Sequence, residues 1–597
     1  MNKHVEQVDL VPVIDRSAEQ IAHAWVSGFA QRLAAQDLHG LRGMLADDAS
    51  WRDILAFTWH YRTFHNPDQI MDGLRAHLAD VAPTGFRFVE RMPPRRVNRV
   101  GRDVIEAVIS FRTTVGECQG TVRLVVGDDG KARAWTLMTA LQSIHGHEYK
   151  VGPNRPRSKS RWTEEAAASS DTGEPTVLII GAGHGGLSVA ARLKALGVPA
   201  RVIERDERVG DNWGKRYANL MLHNEIWAND LPYLEYPQTW PVYTSTDDLA
   251  RWFAAYASLL DLDVQTGSEL ESAQYDEASE TWHAKIRRSD GSLEEYRPRH
   301  IVMAVGLSGE PRTPSLKGLD TFRGEVLHTS QYSEGSSYKG KKVAVIGVSN
   351  SGHDVAQDLQ FHGADVTMVQ RGPIWVISLD PSSRLTFALH GGSLSVEDAD
   401  FLSHAVPYPV LIQAHQMGAR VMAQYDAELL SRLRAAGMKL DMGHDGTGYG
   451  LKYTRKGGGY YINVGCSDLI ADGKIGLVHY DAIEGAAPNG ILMQDGSILE
   501  ADVIVFAIGY HNPTTIVERI FGSDVAERVG RIWGLDEDPE APDYGEMNNM
   551  WKRTGQRGLW VMAGGFIHSR FHSRYLANQI LATELGMISP DKPDRPE

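Results

Sequence analysis

The sequence has little cysteine, no long apolar run and a deficit of positive charge. Its 597 residues contain two cysteines, which excludes a disulfide framework, a CxxC redox pair and a cysteine zinc site. No stretch reaches about 18 uninterrupted apolar residues, and the N-terminus lacks the apolar core of a signal peptide. The net charge of −15 disfavours nucleic acid as a partner. We therefore expect a cytoplasmic protein with no transmembrane anchor.

The chain is long enough for several domains. Residues 17–33 predict an amphipathic helix, because apolar residues recur there at helical spacing. Alternating stretches between about 85 and 145 predict antiparallel hairpins. Helices followed by strands favour an α+β domain over 1–152. The segment 153–175, which contains Pro, Ser, Ala and Gly clusters, predicts a linker.

A strand–turn–helix–strand pattern begins at residue 176. The apolar strand 177–180 is followed by the turn GAGHGG, and the next strand ends at Glu204. In this GxGxxG spacing, the glycines permit a tight turn, a close approach of the backbone to a pyrophosphate and close packing of the helix. Glu204 is placed to bond ribose hydroxyls, which favours FAD or NAD over NADP. The sequence therefore predicts a Rossmann-type dinucleotide site here.

The pattern repeats at residue 342, with the turn GVSNSG at 347–352. Ser349 replaces the middle glycine and is still a small residue beside the predicted pyrophosphate. Arg371 replaces the acid at the end of the second strand, which suits a 2′-phosphate and predicts NADPH; NADH is the alternative, since a guanidinium also stacks on adenine. Two such units imply a flavin and a nicotinamide with hydride transfer between them. The lack of a cysteine pair excludes a disulfide reductase and leaves O2 as the obvious electron acceptor.

The segment between the units, FRGEVLHTSQY at 322–332, has the pattern FxGxxxHxxxY. It resembles the fingerprint of class B flavoprotein monooxygenases. Tyr332 is similar to the flavin-containing and YUCCA-type groups, whereas the Baeyer–Villiger group usually has Trp. The segment with Trp213 and Arg216 resembles the part of the family that lies along the flavin, and Gly509 ends a similar inter-domain crossing. The N-terminal block resembles NTF2-like (SnoaL-like) domains, as in type II flavin-containing monooxygenases.

The resemblance implies an α/β fold class with two Rossmann-type dinucleotide-binding domains, for FAD and NADPH, preceded by an α+β NTF2-like domain. The predicted domain limits are 1–152 for the NTF2-like domain, 153–175 for the linker, 176–337 for the first part of the FAD domain, 338–498 for the NADPH domain with a helical insertion, and 499–597 for the second part of the FAD domain.

The resemblance also implies a reaction. NADPH reduces FAD, and a C4a-(hydro)peroxyflavin transfers one oxygen atom of O2 to a small organic substrate, with N- or S-oxygenation expected. Baeyer–Villiger oxidation is an alternative, although the active-site cation of that group has no counterpart after Arg371. Oxidative decarboxylation of a 2-oxo acid is a further alternative. A different class of function is an NADPH oxidase or assembly protein with an NTF2-like interaction domain. We expect a homo-oligomer, most simply a dimer.

Site residues follow from the same resemblance. His223 aligns with an Asn that contacts the flavin in flavin-containing monooxygenases, although a core histidine is the alternative interpretation. The predicted catalytic residues are His223, Asn224 and Asn350. The predicted cofactor-binding residues are Gly181, Gly183, Gly186, Glu204, Arg205, Trp213, Arg216, Gly347, Ser349, Asn350, Ser351, Gly352, Arg371 and Gly509.

A histidine pair and two glycine-rich segments are further patterns of the sequence. His568 and His572 have an i, i+4 spacing that can hold zinc, but no third ligand is near in the sequence and Arg570 and Arg574 would repel a cation. We therefore predict no metal site. The glycine-rich segments 446–450 and 457–461 predict flexible turns near the substrate.

Overall fold

The N-terminal part of the chain forms a seven-stranded sheet with helices packed against it. The structure, a computed structural model, describes residues 16–157, 173–589 and 591. The elements of this part are α1 (Arg16–Ala34), α2 (Leu38–Arg42), β1 (Leu45–Ile54), β2 (Tyr61–Phe64), α3 (Pro67–Val81), β3 (Thr84–Phe88), β4 (Arg95–Arg99), β5 (Arg102–Arg112), β6 (Gly116–Val126) and β7 (Ala132–Ile144). The antiparallel pairing of β5, β6 and β7 confirms the predicted hairpins, and α1 confirms the predicted helix.

The next part contains the first parallel sheet. Its elements are β8 (Val177–Ile180), α4 (His184–Leu196), β9 (Ala200–Ile203), α5 (Asp211–Gly214), α6 (Thr246–Leu259), β10 (Val264–Gln265), β11 (Ser268–Asp276), β12 (Thr281–Arg288), β13 (Leu293–Tyr296) and β14 (His300–Met303). The parallel order is β10-β9-β8-β14, and β11 to β13 form a separate antiparallel sheet. All four residues of β8 are buried, which explains its uninterrupted apolar sequence, since both faces of a parallel sheet are covered.

The second parallel sheet follows. Its part of the chain contains β15 (Glu325–His328), β16 (Lys342–Ile346), α7 (Asn350–Phe361), β17 (Asp365–Gln370), β18 (Trp375–Ser378), α8 (Val396–His404), α9 (Tyr408–Tyr425), α10 (Ala427–Ala435), α11 (Gly448–Lys456), β19 (Tyr460–Asn463), α12 (Cys466–Ala471), β20 (Gly476–His479), β21 (Ile483–Ala487), β22 (Gly490–Met493), β23 (Ile498–Glu500) and β24 (Val503–Phe506). The parallel order is β15-β24-β16-β17-β20. Helices α8 to α10 occupy the position of the predicted helical insertion.

The chain then returns to the first sheet. The last elements are α13 (Pro513–Phe521), α14 (Ser523–Val529), β25 (Leu559–Val561) and α15 (Phe566–Glu584). β25 pairs in parallel with β14, and α15 packs on α4. This topology confirms the predicted α/β class with two Rossmann-type units. The second sheet nevertheless extends beyond the predicted limits of 338 and 498, because it includes β15 and β24.

Parts of two predictions fall outside the described residues. These are the N-terminal residues 1–15 and the stretch 158–172, which makes up most of the predicted linker. Within the described part of the chain, none of the helices has both the length and the apolarity needed to cross a membrane.

Buried charges dock the N-terminal sheet onto the rest of the protein. Arg52 on β1 donates to both carboxylate oxygens of Glu546, at 2.8 and 2.7 Å, and to the carbonyl oxygen of His404 at 2.6 Å. The side chains of Arg52 and Glu546 are 13% and 4% exposed. Thr63 on β2 donates to the same carboxylate. The guanidinium and the carboxylate thus satisfy each other in a region that water barely reaches.

We expect Glu546→Gln to lower the free energy of unfolding by about 3 kcal/mol or more, because Arg52 would stay buried without a counter-charge. The midpoint of urea unfolding, followed by tryptophan fluorescence, measures this. The double variant Arg52→Leu/Glu546→Leu should be less destabilised than Glu546→Gln alone. The control is Glu271→Gln, whose pair with Arg287 is about half exposed and should cost less than about 1 kcal/mol. Equal costs for Glu546→Gln and the control would contradict the docking role.

Candidate active site between the two dinucleotide-binding units

The first glycine-rich turn joins β8 to α4. Gly181 has a φ of +106°, and a Cβ on Gly186 would lie 1.9 Å from the carbonyl oxygen of Gly181. No side chain caps α4, so its first N–H groups are open to an anion. Glu204 accepts backbone hydrogen bonds from Ala182 at 2.7 Å and Asp206 at 2.9 Å. This cradle fits a dinucleotide pyrophosphate, and Glu204 braces it from the end of β9.

The second glycine-rich turn joins β16 to α7 with the same shape. Gly347 has a φ of +121°, and a Cβ on Gly352 would lie 2.1 Å from the carbonyl oxygen of Gly347. The α7 N-terminus also has no side-chain cap. The hydroxyl of Ser349, expected beside the pyrophosphate, instead donates to the carbonyl oxygen of Tyr460 at 3.0 Å. The turn fits a second dinucleotide, and Ser349 ties it to β19.

The other predicted cofactor residues lie around these two turns. Arg205 and Arg371 are exposed just after β9 and β17, and among the described residues no carboxylate forms an ion pair with Arg371. Trp213 is partly buried, and its ring nitrogen is enclosed without a hydrogen-bond partner in the described residues. Gly183 is the residue that precedes α4. Arg371 thus directly follows β17, at the strand end for which the sequence predicts a cation.

The fingerprint segment contains β15 and packs against β24 and α7 of the second unit. A Cβ on Gly324 would lie 2.2 Å from the carbonyl oxygen of Asp502. His328 donates from Nε2 to the carbonyl oxygen of Gly509 at 3.1 Å. The Tyr332 hydroxyl donates to Asp358 on α7 at 2.5 Å. These contacts explain the residue types of the fingerprint by the packing of the crossing strands.

The segment containing His223 packs against α7 of the second unit. The Tyr217 hydroxyl donates to Asp354 at 2.8 Å and also contacts Ser351. Burial lowers the pKa of His223, although the nearby Asp354 carboxylate opposes this. Asp354 has one oxygen buried without a hydrogen-bond partner in the described residues, and burial raises its pKa. The structure therefore brings His223 to the junction of the units.

The remaining two predicted catalytic residues make contacts within the protein. The Asn224 amide donates to the side chain of Asn229 at 3.5 Å, within its own loop. Asn350 accepts a hydrogen bond from the backbone N–H of Ile462 at 3.2 Å, and its side chain also hydrogen-bonds to Tyr460. Asn350 thus joins the second glycine-rich turn to β19.

Sequence reasoning missed a group of aromatic rings beside this junction. Of the two glycine-rich segments predicted as flexible turns, 446–450 contains the start of α11 and 457–461 contains the start of β19. The ring of Tyr453 lies 6.4 Å from that of Tyr460, 5.3 Å from Trp533 and 6.1 Å from His568. Burial raises the pKa of Tyr449 to about 12. The i, i+4 spacing of Tyr449 and Tyr453 was the available signal for an aromatic helix face.

Three imidazoles lie where α8 meets α15, with His572 buried and His404 and His568 partly exposed. His572 stacks on Trp551 at 3.7 Å, and its Nδ1 hydrogen-bonds to the Tyr61 hydroxyl at 3.0 Å. Burial lowers the pKa of His404 to about 3 and that of His568 to about 4. Within the described residues, no group of three His, Cys, Asp or Glu is arranged to hold a metal. Because burial lowers the pKa of each of the three rings, they are neutral at pH 7.

Comparisons with known proteins agree with this geometry. The family model described as pyridine nucleotide-disulphide oxidoreductase matches residues 178–389. The indole-3-pyruvate monooxygenase YUCCA1 of Oryza sativa subsp. japonica is 30% identical over 352 residues, which cover 57% of this chain and 78% of the relative. The probable indole-3-pyruvate monooxygenase YUCCA3 of Arabidopsis thaliana is 29% identical over 392 residues, or 64% and 81% of the two chains.

A solved structure shows the same fold. The open crystal structure of cyclohexanone monooxygenase aligns with a TM-score of 0.50 and 18% sequence identity, over 69% of this chain and 88% of that one. At this identity, the likeness concerns the fold.

We expect the protein to lose stability as the pH falls below about 6.5, the usual pKa of histidine. The folded-state pKa values of His404 and His568 are depressed to about 3 and about 4, so the unfolded chain binds more protons below 6.5. Each of these two rings should lower the free energy of unfolding by about 1.4 kcal/mol per pH unit, down to its folded pKa. Thermal midpoints between pH 7.5 and 5 measure the slope.

The variant His404→Gln isolates one of these rings. Its slope of stability against pH should be shallower than that of the wild type by one histidine, whereas the exposed His39→Gln should leave the slope unchanged. Asp53 and Asp230, whose pKa values burial raises to about 6, act in the opposite direction but equally in every variant. An unchanged slope in His404→Gln would contradict the assignment.

Proposed function

The chain belongs to the flavin-dependent monooxygenase family that includes the indole-3-pyruvate monooxygenases, and we propose that it oxygenates a small organic substrate at nitrogen or sulfur. It is an enzyme that uses FAD, NADPH and O2. The observation that supports the proposal is the placement of two glycine-rich turns, each shaped for a dinucleotide, on either side of one junction. Bound FAD supplies the chemistry, since it accepts hydride from NADPH and activates O2.

The chain's own residues bind and orient the cofactors. The open N-terminus of α4 is suited to the FAD pyrophosphate and that of α7 to NADPH. Glu204 is placed to accept from ribose hydroxyls with its remaining lone pairs. Arg371, exposed and without an ion-pair partner in the described residues, is suited to the 2′-phosphate of NADPH.

We assign His223 to the reacting end of the site. Its ring lies within electrostatic reach of Asp354 and is kept neutral by burial, so one ring nitrogen holds a proton while the other can accept one. That state suits a group that donates to a developing negative charge and is then reprotonated. Asn350 acts as a positioning residue, because its side chain joins the second glycine-rich turn to β19.

A second candidate reaction is Baeyer–Villiger oxidation of a ketone. It needs a cation near the reacting oxygen, and Arg216 is partly buried and within electrostatic reach of Tyr217, Asp354 and His328. Oxidative decarboxylation of a 2-oxo acid is a third candidate, since the YUCCA relatives are indole-3-pyruvate monooxygenases. We also propose that the N-terminal domain is NTF2-like and that the protein is cytoplasmic. We propose further that it is a homodimer, and light scattering would test this oligomeric state.

The reaction is tested by supplying the FAD-loaded enzyme with NADPH and one of four probes: methyl phenyl sulfide, N,N-dimethylbenzylamine, phenylacetone or phenylpyruvate. We expect the sulfide or the amine to gain one oxygen atom, in proportion to the NADPH consumed. Mass spectrometry measures the product and a peroxidase assay measures H2O2. The control Gly186→Val, whose side chain has no room beside Gly181, should lack FAD and activity. Release of all the reducing equivalents as H2O2 with every probe would contradict the proposal and favour an oxidase.

Cofactor choice is tested by Arg371→Ala. A charge-assisted hydrogen bond to a phosphate contributes roughly 1.5–3 kcal/mol, so the KM for NADPH should rise about 10-fold or more while that for NADH changes little. Steady-state kinetics with both nucleotides measures this. The matched control is Arg205→Ala, which removes the exposed arginine after β9 and should leave the NADPH-to-NADH ratio unchanged. Equal losses with both nucleotides in Arg371→Ala would remove Arg371 from the 2′-phosphate.

A further inference from the structure

We propose that His568 contacts the substrate, donating a hydrogen bond from Nε2 to an acceptor oxygen of a molecule whose flat apolar body lies against Tyr453 and Trp533. The proposal rests on the proposed function only in taking the bound molecule to be the substrate. Nothing in the cofactor-binding roles above uses this histidine.

Direct contacts place His568 between the two glycine-rich turns. On one side, His184 in the first turn donates from Nε2 to the carbonyl oxygen of Gly564 at 2.7 Å, just before α15 begins. On the other side, Ser349 in the second turn bonds to Tyr460. The ring of Tyr460 meets that of Tyr453, which in turn faces His568 at 6.1 Å. These contacts place His568 in the protein wall between the two turns, where we propose that the substrate lies.

A backbone hydrogen bond fixes which nitrogen of His568 carries the proton. The N–H of Gly565 donates to Nδ1 at 3.3 Å, and a backbone N–H can only donate. The neutral ring therefore holds its proton on Nε2. Burial keeps the ring neutral at pH 7 by lowering its pKa to about 4, with Asp400 and His184 as the charged or titratable groups that act on it.

The Nε2–H group is free to donate to a ligand. His568 is partly exposed, its only hydrogen bond in the described part of the chain is the one at Nδ1, and Nε2 is not among the enclosed, unpartnered atoms. His404 lies edge-on at 6.1 Å between ring centroids and uses its own Nδ1 to donate to the carbonyl oxygen of Asp400. The geometry thus leaves a donor of fixed direction that is partly accessible among aromatic rings.

Two strained tryptophans hold the ring and shape its surroundings. Trp551 stacks on His568 at 5.5 Å with 12° between the ring planes, and Trp533 lies edge-on at 6.1 Å. Both tryptophans have positive φ, +63° and +67°, a conformation that costs a bulky residue of order 1–3 kcal/mol. Trp533 also donates to the carbonyl oxygen of Tyr453 at 3.2 Å. Such strain concentrates at binding sites, and here both tryptophans lie against His568, while Trp551 also stacks on His572.

The test measures equilibrium binding to the oxidised, FAD-loaded enzyme without NADPH. The probes are acetophenone and α-methylstyrene, which have nearly the same shape but differ in a carbonyl oxygen, and binding is followed by the change in flavin absorbance. The wild type should bind acetophenone about fivefold more tightly, as expected for one net hydrogen bond. His568→Phe should abolish this preference. His568→Gln should retain part of it, because an amide also donates.

The matched control is His572→Phe. That ring lies one turn further along α15, enclosed by Trp551 and Tyr61, so the control should keep the preference. The proposal is overturned if His568→Phe keeps the preference, or if the wild type fails to discriminate between the probes. Because the assay requires no turnover, discrimination without any oxygenated product would remove only the proposed function. Oxygenation with an unchanged preference in His568→Phe would remove only this inference.

Discussion

The closeness with which a helix can approach the strand before it governs the rest of this structure. At Gly186 and Gly352, a Cβ would lie 1.9 and 2.1 Å from a backbone carbonyl oxygen, so only glycine permits the packing of α4 and α7. That packing sets the open helix N-termini at the ends of β8 and β16, where an anion is stabilised. The aromatic residues of α11, β19 and α15 lie between the N-termini of α4 and α7.

Hydrogen bonds attach the first unit and the segment after β15 to the second unit. Tyr217 of the first unit and Tyr332 of the segment after β15 each donate to a carboxylate of α7. His328 holds the return crossing through Gly509. The contacts of the fingerprint residues are thus packing contacts, which hold β15 and the segment after it in place.

The predictable features of this protein are those encoded over short stretches of sequence. Each glycine-rich turn carries its strand, its helix and its backbone constraint within about 30 residues. β15 and β24 lie outside the limits predicted for the NADPH domain, because each strand has only four residues and so short a sequence does not reveal which sheet it joins. The glycines of segments 446–450 and 457–461 predict flexible turns. Two of them, Gly448 and Gly457, have positive φ at the two ends of α11 and so delimit a helix.

The surroundings of His568 depend on contacts between distant parts of the chain. Tyr453, Trp533 and Trp551 belong to three separate segments, and no local pattern predicts that their rings meet. The spacing of His568 and His572 was recognisable only as an incomplete metal motif. The fold instead uses one ring to face the junction and the other to meet Tyr61.

The contact between Tyr61 and His572 gives the N-terminal sheet a share in the architecture of the active site. Helix α15 carries His568 on one turn and, on the next, the ring that bonds to Tyr61, while Arg52 holds the end of α8 through the carbonyl oxygen of His404. A minimal enzyme made by trimming the chain to its two nucleotide-binding units would leave the imidazole of His572 and the carboxylate of Glu546 without these partners. The N-terminal sheet thus supports α15 and the end of α8, and a shortened enzyme would need substitutions that replace these contacts.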